Sequence, residues 1–338
     1  MTYLTYHDVL IRPEKSYVLS RKDVETKMEI CGHIIDLPVL ASNMESVTNV
    51  DTLKKLHEAG SCGVLHRFKT DEERIADAVE AEKEGVYPLI VSVGLHDSLD
   101  FIEKIIRESL LDIIVLDTAH AHSEQVIEFV KELKELLRIP AYDNISLIAG
   151  NIATEEAAEE FINIGVDGLK VGIGSGSACT TRLQTGAGVP MISSIMEVKK
   201  AVDRLDPGVT IIADGGINYN GDVGKAIVAG ADAVMVGKHF ALCSDNTASD
   251  VKIPGEKHLV KRYFGSASTQ HKDDYVEGQV KTFETHELPT IEDRVKEFRQ
   301  ALQSTVSYAG GKHLRDIKGI QNFIEVSVAS LKENNTRL

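Results

Sequence analysis

Short apolar runs recur along the chain at 38–42, 62–66, 88–93, 112–117, 145–150, 167–172, 209–214 and 232–237, with longer mixed segments between them. The runs are rich in Val, Ile and Leu and hardly alternate with polar residues, the pattern of parallel strands covered on both faces. The intervening segments carry helix signals. Thr70 and Glu73 have capping-box spacing, and Val126, Phe129, Val130, Leu133 and Leu137 share one face of a segment opened by Ser123. Gly60, Gly165 and Gly230 each stand shortly before a run, where a helix-ending glycine in the left-handed region belongs. Eight such units predict an α/β fold, a (β/α)8 TIM barrel; a doubly wound open sheet is the alternative, and the even spacing disfavours it. A polar N-terminal arm is expected over 1–37, the last barrel helix at 291–302, and an amphipathic C-terminal extension over 320–331. The stretch 244–285 is too long for an ordinary barrel connection, which predicts an active-site flap over 265–290 that is mobile. One barrel domain then accounts for residues 1–338.

A barrel puts its active site at the C-terminal ends of its strands, and the reactive residues here follow the runs. They are Ser42-Asn43-Met44, His66-Arg67, Asp117 to His120, Asn151, the loop around Cys179, Asp214-Gly215-Gly216 and Gly237-Lys238. The Cys179 loop is the most unusual stretch. Gly172, Gly174 and Gly176 let the backbone approach a phosphate or a metal, and Cys179 follows in a polar loop where a thiolate is stabilised. Taken singly, a cysteine is more often a small buried hydrophobe and a glycine loop a turn. Their joint position after a predicted strand favours chemistry. A-D-G-G (213–216) and V-G-K (236–238) follow the seventh and eighth runs, the usual barrel phosphate site.

Charge and cysteine usage narrow the class. A net charge of -15 over 338 residues opposes sequence-independent binding to nucleic acid or to an anionic membrane. The four cysteines show no CxxC spacing, which gives neither a zinc site nor a disulfide framework. No apolar run reaches about 18 residues and the N-terminus lacks signal-peptide character, so the expectation is a cytoplasmic protein.

Several segments together resemble one family. D-V-L-I-R-P (8–13), A-S-N-M-E-S-V-T (41–48), L-D-T-A-H-A-H-S (116–123), A-G-N-I-A-T (149–154), K-V-G-I-G-S-G-S-A-C-T-T-R (170–182), A-D-G-G-I (213–217), A-G-A-D-A-V-M-V-G (229–237) and Y-F-G-S-A-S (263–268) are similar to the IMP dehydrogenase and GMP reductase enzymes. The resemblance implies that Cys179 attacks C2 of a purine nucleoside 5′-monophosphate and forms a covalent thioimidate, with hydride transfer to or from a nicotinamide. It implies that Asp214 binds the ribose hydroxyls. Ser177, Gly215, Gly216, Gly237 and Lys238 would surround the phosphate, and Gly265, Ser266 and Ala267 the base. The carbonyls of Gly174, Gly176 and Cys179, with Arg182 nearby, would hold a monovalent cation, K+. A homotetramer is also implied.

Within the family the residues resemble the reductase branch most. Only 67–87 separate His66 from the third run, where most dehydrogenases insert a regulatory domain. Asp274-Tyr275 stands where dehydrogenases carry the Arg-Tyr pair that activates water, and an aspartate has no guanidinium to offer. Thr181 with Glu284, or alternatively Glu287, matches the threonine–glutamate pair with which reductases handle ammonia. L-S-R-K-D-V (19–24) and Q-S-T-V-S-Y-A-G (303–310) resemble reductase segments that border the dinucleotide. That adds Ser20, Arg21, Ser304 and Thr305 to Asp117, Thr118 and Ala119 as cofactor residues. The implied reaction is NADPH-dependent conversion of GMP to IMP with loss of ammonia. Departures keep other readings open. D-T-A-H-A-H-S (117–123) is closer to bacterial dehydrogenases, Ser175 replaces a usual proline, Met191 a glutamine, and G-S-A-S (265–268) the usual base-binding loop. An IMP dehydrogenase without the regulatory domain, a divergent purine-nucleotide oxidoreductase and a nucleotide-binding regulator are the alternatives.

Overall fold

The computed structural model describes residues 2–252, 260–265, 268, 278–283, 288–327 and 329–330. Eight parallel strands among them make one sheet: β1 (Val39–Ala41), β2 (Cys62–Gly63), β3 (Ile90–Val93), β4 (Ile113–Asp117), β5 (Ser146–Ile152), β6 (Gly168–Val171), β7 (Thr210–Asp214) and β8 (Ala233–Val236). Seven fall within the apolar runs, and β5 starts inside its run and continues two residues past it, through Asn151 and Ile152. β8 pairs with β1, and the seam between β2 and β3 is bridged where Leu65 donates to the Ile90 carbonyl and accepts from Ser92, both at 2.9 Å. The sheet therefore curls into a (β/α)8 barrel and is not the open doubly wound alternative.

The lack of polar alternation has a direct cause. Leu40, Ile113, Val115, Ile148, Ile212 and Met235 fill the barrel interior. Their neighbours Val39, Ile114, Leu116, Leu169, Ile211 and Val234 face outward and are equally buried, under the helices. Those helices are α1 (Val50–Glu58), α2 (Asp71–Lys83), α3 (Leu99–Glu108), α4 (Glu124–Leu137), α5 (Glu155–Ile164), α6 (Met191–Leu205), α7 (Asn220–Ala229) and α8 (Ile291–Tyr308). Thr70 and Glu73 form the expected capping box on α2, and α5 ends at Gly165 with φ 94°. Only α2 lies between β2 and β3. No helix among the described residues is long and apolar enough to cross a membrane.

The N-terminal arm is less polar in effect than its composition. Tyr6, Val9, Val24, Met28, Ile30, Ile35 and Leu37 are all buried. The strands Met28–Ile30 and His33–Ile35 form a hairpin whose two-residue turn, Cys31-Gly32, has φ 48° and 82°, the turn that suits the twist of a tight hairpin. Ile30 and Ile35 join the interior core, and the Cys31 amide donates to Thr210 Oγ1 at the start of β7 (2.9 Å). The hairpin thus plugs the end of the barrel opposite the strand C-termini. The C-terminal extension runs as a strand, Phe323–Glu325, antiparallel to Val9–Ile11. Three-residue strands of this kind are too short to leave a periodic signal.

Within 244–285 the described residues form an antiparallel sheet, Asp250–Val251, Val260–Phe264 and Val280–Phe283. The Gln279 amide donates to the Ala178 carbonyl (2.8 Å) and Gly278 bridges Cys179, so this sheet is anchored on the cysteine loop. Of the expected flap, residues 266–267, 269–277 and 284–287, Asp274 and Tyr275 among them, lie outside the described residues.

Ile30→Ala removes a fully buried side chain of the plug. Urea denaturation should show a loss of about 2–5 kcal/mol. A loss within about 0.5 kcal/mol, the range of ordinary surface changes, would show that the hairpin does not close the core.

Candidate active site

Loops from β1, β4, β5, β6 and β7 enclose a cavity of about 270 Å³ at the C-terminal mouth, and Cys179 is on its wall. The Cys179 amide donates to the Gly176 carbonyl (3.0 Å), which folds the loop back, and Thr181 begins a single helical turn, Thr181–Thr185. The thiol donates to Thr181 Oγ1 at 3.0 Å and the Thr181 amide points at Sγ from 3.5 Å. After proton loss the same hydroxyl and amide become donors to a thiolate. Burial pushes the thiols of the other three cysteines, Cys31, Cys62 and Cys243, up to about 12.

A chain of charges runs across the mouth. Lys170, only 3 % exposed, projects from β6 and places Nζ 3.1 Å from Asp117 Oδ1 at the end of β4 and 3.0 Å from Asp214 Oδ2 at the end of β7. Arg67 Nε lies 3.3 Å from Asp117 Oδ2. Asn151, where β5 shifts register, donates to the same Asp214 Oδ2 (2.9 Å) and to the Gly172 carbonyl (2.7 Å). Burial pushes the Asp117 carboxyl up, but Lys170, Arg67 and a hydrogen bond from Asn43 outweigh it and hold it below its ordinary value. Burial likewise pulls the Lys170 ammonium down, and the two carboxylates more than restore it.

Of the expected phosphate residues, Ser177, Gly237 and Lys238 sit around the buried Tyr263. Its phenol is hydrogen-bonded to Ser177 and to the Lys238 backbone, and burial pushes it up to about 12, so it stays a neutral donor. A Cβ on Gly237 would come within 2.7 Å of that hydroxyl, and Lys238 Nζ lies over the Phe283 ring at 5.6 Å. Gly215 and Gly216 have φ 87° and 79°, and a Cβ on Gly215 would meet Ser175 Oγ at 2.8 Å and the Gly176 amide at 3.1 Å. The β6 and β7 loops therefore pack backbone against backbone, tied by Ser175 Oγ donating to the Asp214 carbonyl (2.7 Å). Gly265 reaches the cavity wall; Ser266, Ala267, Glu284 and Glu287 lie outside the described residues.

Of the cation-loop residues, Gly174 lines the cavity and the Gly176 carbonyl accepts the Cys179 amide. The Arg182 guanidinium donates to the carbonyls of Ile173 (3.1 Å) and Val189 (2.5 Å), clasping the two ends of the loop. No group of three or more His, Cys, Asp or Glu side chains among the described residues is arranged to hold a metal.

The cofactor candidates fall into two groups. Asp117, Thr118 and Ala119 are at the mouth, where Thr118 Oγ1 donates to the Gly150 carbonyl (2.9 Å). Ser20, Arg21, Ser304 and Thr305 lie elsewhere: Arg21 donates to Ser304 (3.3 Å), and Thr305 packs on Gly224 of α7. Ser304 is thirteen residues along α8 from Ile291, which bonds Asp245 just after β8, so this group sits about 20 Å away down the barrel flank. Lys170 and Tyr263 escaped the sequence-derived site. A lysine inside the apolar run G-L-K-V was the available signal, since buried lysines are rare without partners. A second, largely apolar cavity of about 390 Å³ adjoins the first, shares Ala119 and Thr181 with it, and includes His120, Thr154 and Val189.

A cysteine backed by hydroxyl and amide groups, beside a buried ion network at a barrel mouth, is the setting of an α/β-barrel enzyme. The sequence pattern of the IMP dehydrogenase / GMP reductase domain matches residues 3–337. The chain is 36 % identical over 322 residues to a GMP reductase of Lactobacillus acidophilus, covering 94 % of this chain and 93 % of that one. It is 36 % identical over 330 residues to a GMP reductase of Staphylococcus epidermidis (96 % and 97 % covered) and 35 % identical over 328 residues to one of Lactobacillus johnsonii (96 % and 95 %). The chain belongs to the IMP dehydrogenase / GMP reductase family and is an oxidoreductase.

The lowered Asp117 carboxyl stabilises the fold at pH values above its unfolded pKa of about 3.9, and that contribution disappears as pH falls through the folded value. Thermal melts of Asp117→Asn should therefore trail the parent by a steady margin at about pH 5 to 7 and by a shrinking one below about pH 4. A margin that does not shrink would exclude this linkage.

Proposed function

We propose that the chain is a GMP reductase that converts GMP to IMP and ammonia using NADPH. The observation that carries this reading is Cys179, with Sγ 3.0 Å from Thr181 Oγ1 on the wall of a cavity that also holds Asp214. The sulfur, after giving up its proton, adds to C2 of the purine; the exocyclic amine leaves with a proton as ammonia, and a thioimidate remains on Cys179. Thr181, bonded to the sulfur, passes a proton towards the departing amine. Glu284 is its partner on the basis of sequence position alone, with Glu287 the alternate. NADPH, when bound, supplies the hydride that reduces C2. Expulsion of the Cys179 thiolate from the reduced carbon frees IMP. In total GMP, NADPH and two protons give IMP, NADP+ and ammonium.

Site chemistry supports each binding role. Asp214 is a fixed acceptor for ribose hydroxyls, and Tyr263, Ser177, Gly237 and Lys238 form a set of donors suited to phosphate. Asp117 to Ala119 mark where the dinucleotide meets the nucleotide, and the adjoining apolar cavity suits a flat ring. Arg21 supplies a guanidinium of the kind that takes a 2′-phosphate, which favours NADPH over NADH. The group around Arg21 reaches a mouth only from another copy of the chain. Fully exposed Leu19 and exposed Tyr17 and Tyr308 near it support association between copies, and the family resemblance makes that association a homotetramer. The backbone carbonyls of Gly174, Gly176 and Cys179 are hard donors of the type K+ takes, and further oxygens must complete the shell. The name GMP reductase carried by relatives similar over nearly the whole chain supports the choice of GMP as substrate.

The test is an assay panel of GMP with NADPH and IMP with NAD, followed at the nicotinamide absorbance band and by product mass. Oxidation of NADPH with formation of IMP is expected, and Cys179→Ala should lower turnover by at least about 10³-fold. Consumption of IMP and NAD without GMP reduction would assign the dehydrogenase branch instead.

A further inference from the structure

We propose that Lys170 is a positioning residue for substrate selection: its single buried ammonium fixes the Asp214 carboxylate so that it accepts the vicinal hydroxyls of ribose. The proposal rests on the reading of this mouth as a nucleotide site. Lys170 reaches Asp214 on the neighbouring strand β7 and Asp117 on β4, two strands away on its other side. Among the described residues, the bonds to the Asp214 side chain come from Lys170 Nζ (3.0 Å) and Asn151 Nδ2 (2.9 Å), and both are made to Oδ2. Oδ1 of this cavity-wall residue is thereby kept for a ligand.

A carboxylate distinguishes a diol from a single hydroxyl only if it is ionised and held still, because each hydroxyl must find an acceptor lone pair in a set direction. Lys170 supplies the cation that faces Asp214 and holds it in place. Asp117 has Arg67 as a second cation, whereas Asp214 shares Lys170 with it and otherwise receives the neutral Asn151 amide. Without the ammonium the two carboxyl groups face one partly buried cation. The Asp214 carboxylate, left with the neutral Asn151 amide alone, then loses its set direction, and its lone pairs no longer face the ribose hydroxyls. Lys170 touches no substrate atom in this account; it acts through Asp214.

A merely structural ion pair would weaken binding of every nucleotide alike. The discriminating readout is therefore a ratio of affinities, measured by calorimetry on the full chain with GMP and with 2′-deoxy-GMP. The parent should bind GMP at least about tenfold more tightly, the worth of one good charge-assisted hydrogen bond. In Lys170→Met the ratio should fall to about one, chiefly through loss of GMP affinity, while Lys170→Arg retains most of it. Where Lys170→Met gives no folded protein, Lys170→Met/Asp117→Asn removes one buried charge of each sign and carries the same expectation. A parent-like ratio in the Met variant overturns the role of Lys170 and leaves the nucleotide site standing. Absence of GMP binding to the parent overturns the nucleotide reading itself.

Discussion

A lysine with almost no access to water must be met by carboxylates, and at this barrel mouth that requirement ties three strands together. Lys170 is separated by 53 residues from Asp117 and by 44 from Asp214, yet one ammonium bonds both. Each ion alone would be costly to bury; together, with Arg67 and Asn151, they form a nearly neutral polar floor. The apolar shell of the barrel makes the arrangement rigid, because β4, β6 and β7 cannot shift independently while packed on both faces.

Around that floor the reactive parts are set by backbone rather than by side chains. The β6 and β7 loops approach so closely that a methyl group at Gly215 would collide with Ser175 and Gly176. This contact fixes where the cysteine loop begins, Arg182 clasps its two ends, and Gln279 binds its far side through the Ala178 carbonyl. Cys179 is thus held from three directions, with its sulfur next to Thr181 and open to the cavity. The sheet that follows β8 is part of the site in a physical sense, since Tyr263 contributes the buried phenol that links Ser177 to Lys238.

Much of this was legible beforehand. Eight Val/Ile/Leu runs without alternation gave the barrel, because strands buried on both faces have no polar face to show. The position of Cys179, Asp117 and Asp214 at run ends placed them at one mouth. Glycines at 172, 174, 176, 215 and 216 flagged loops in which the backbone approaches its neighbours closely. The plug hairpin and the pairing of Val9–Ile11 with Phe323–Glu325 were not legible, since three-residue strands carry no period and the partners are over 300 residues apart in the second case.

By itself the sequence determined the fold class and the family and singled out Cys179, all of which are written in local patterns: hydrophobic period, helix caps, glycine spacing and contiguous motifs. Tertiary structure alone decided which charges share a partner and which cofactor candidates are neighbours. Asp117, Lys170 and Asp214 look independent along the chain, and Ser304 looks like a companion of Asp117. The barrel reverses both impressions, because strand ends converge on one mouth whereas a helix carries its later residues away from it at about 1.5 Å per step.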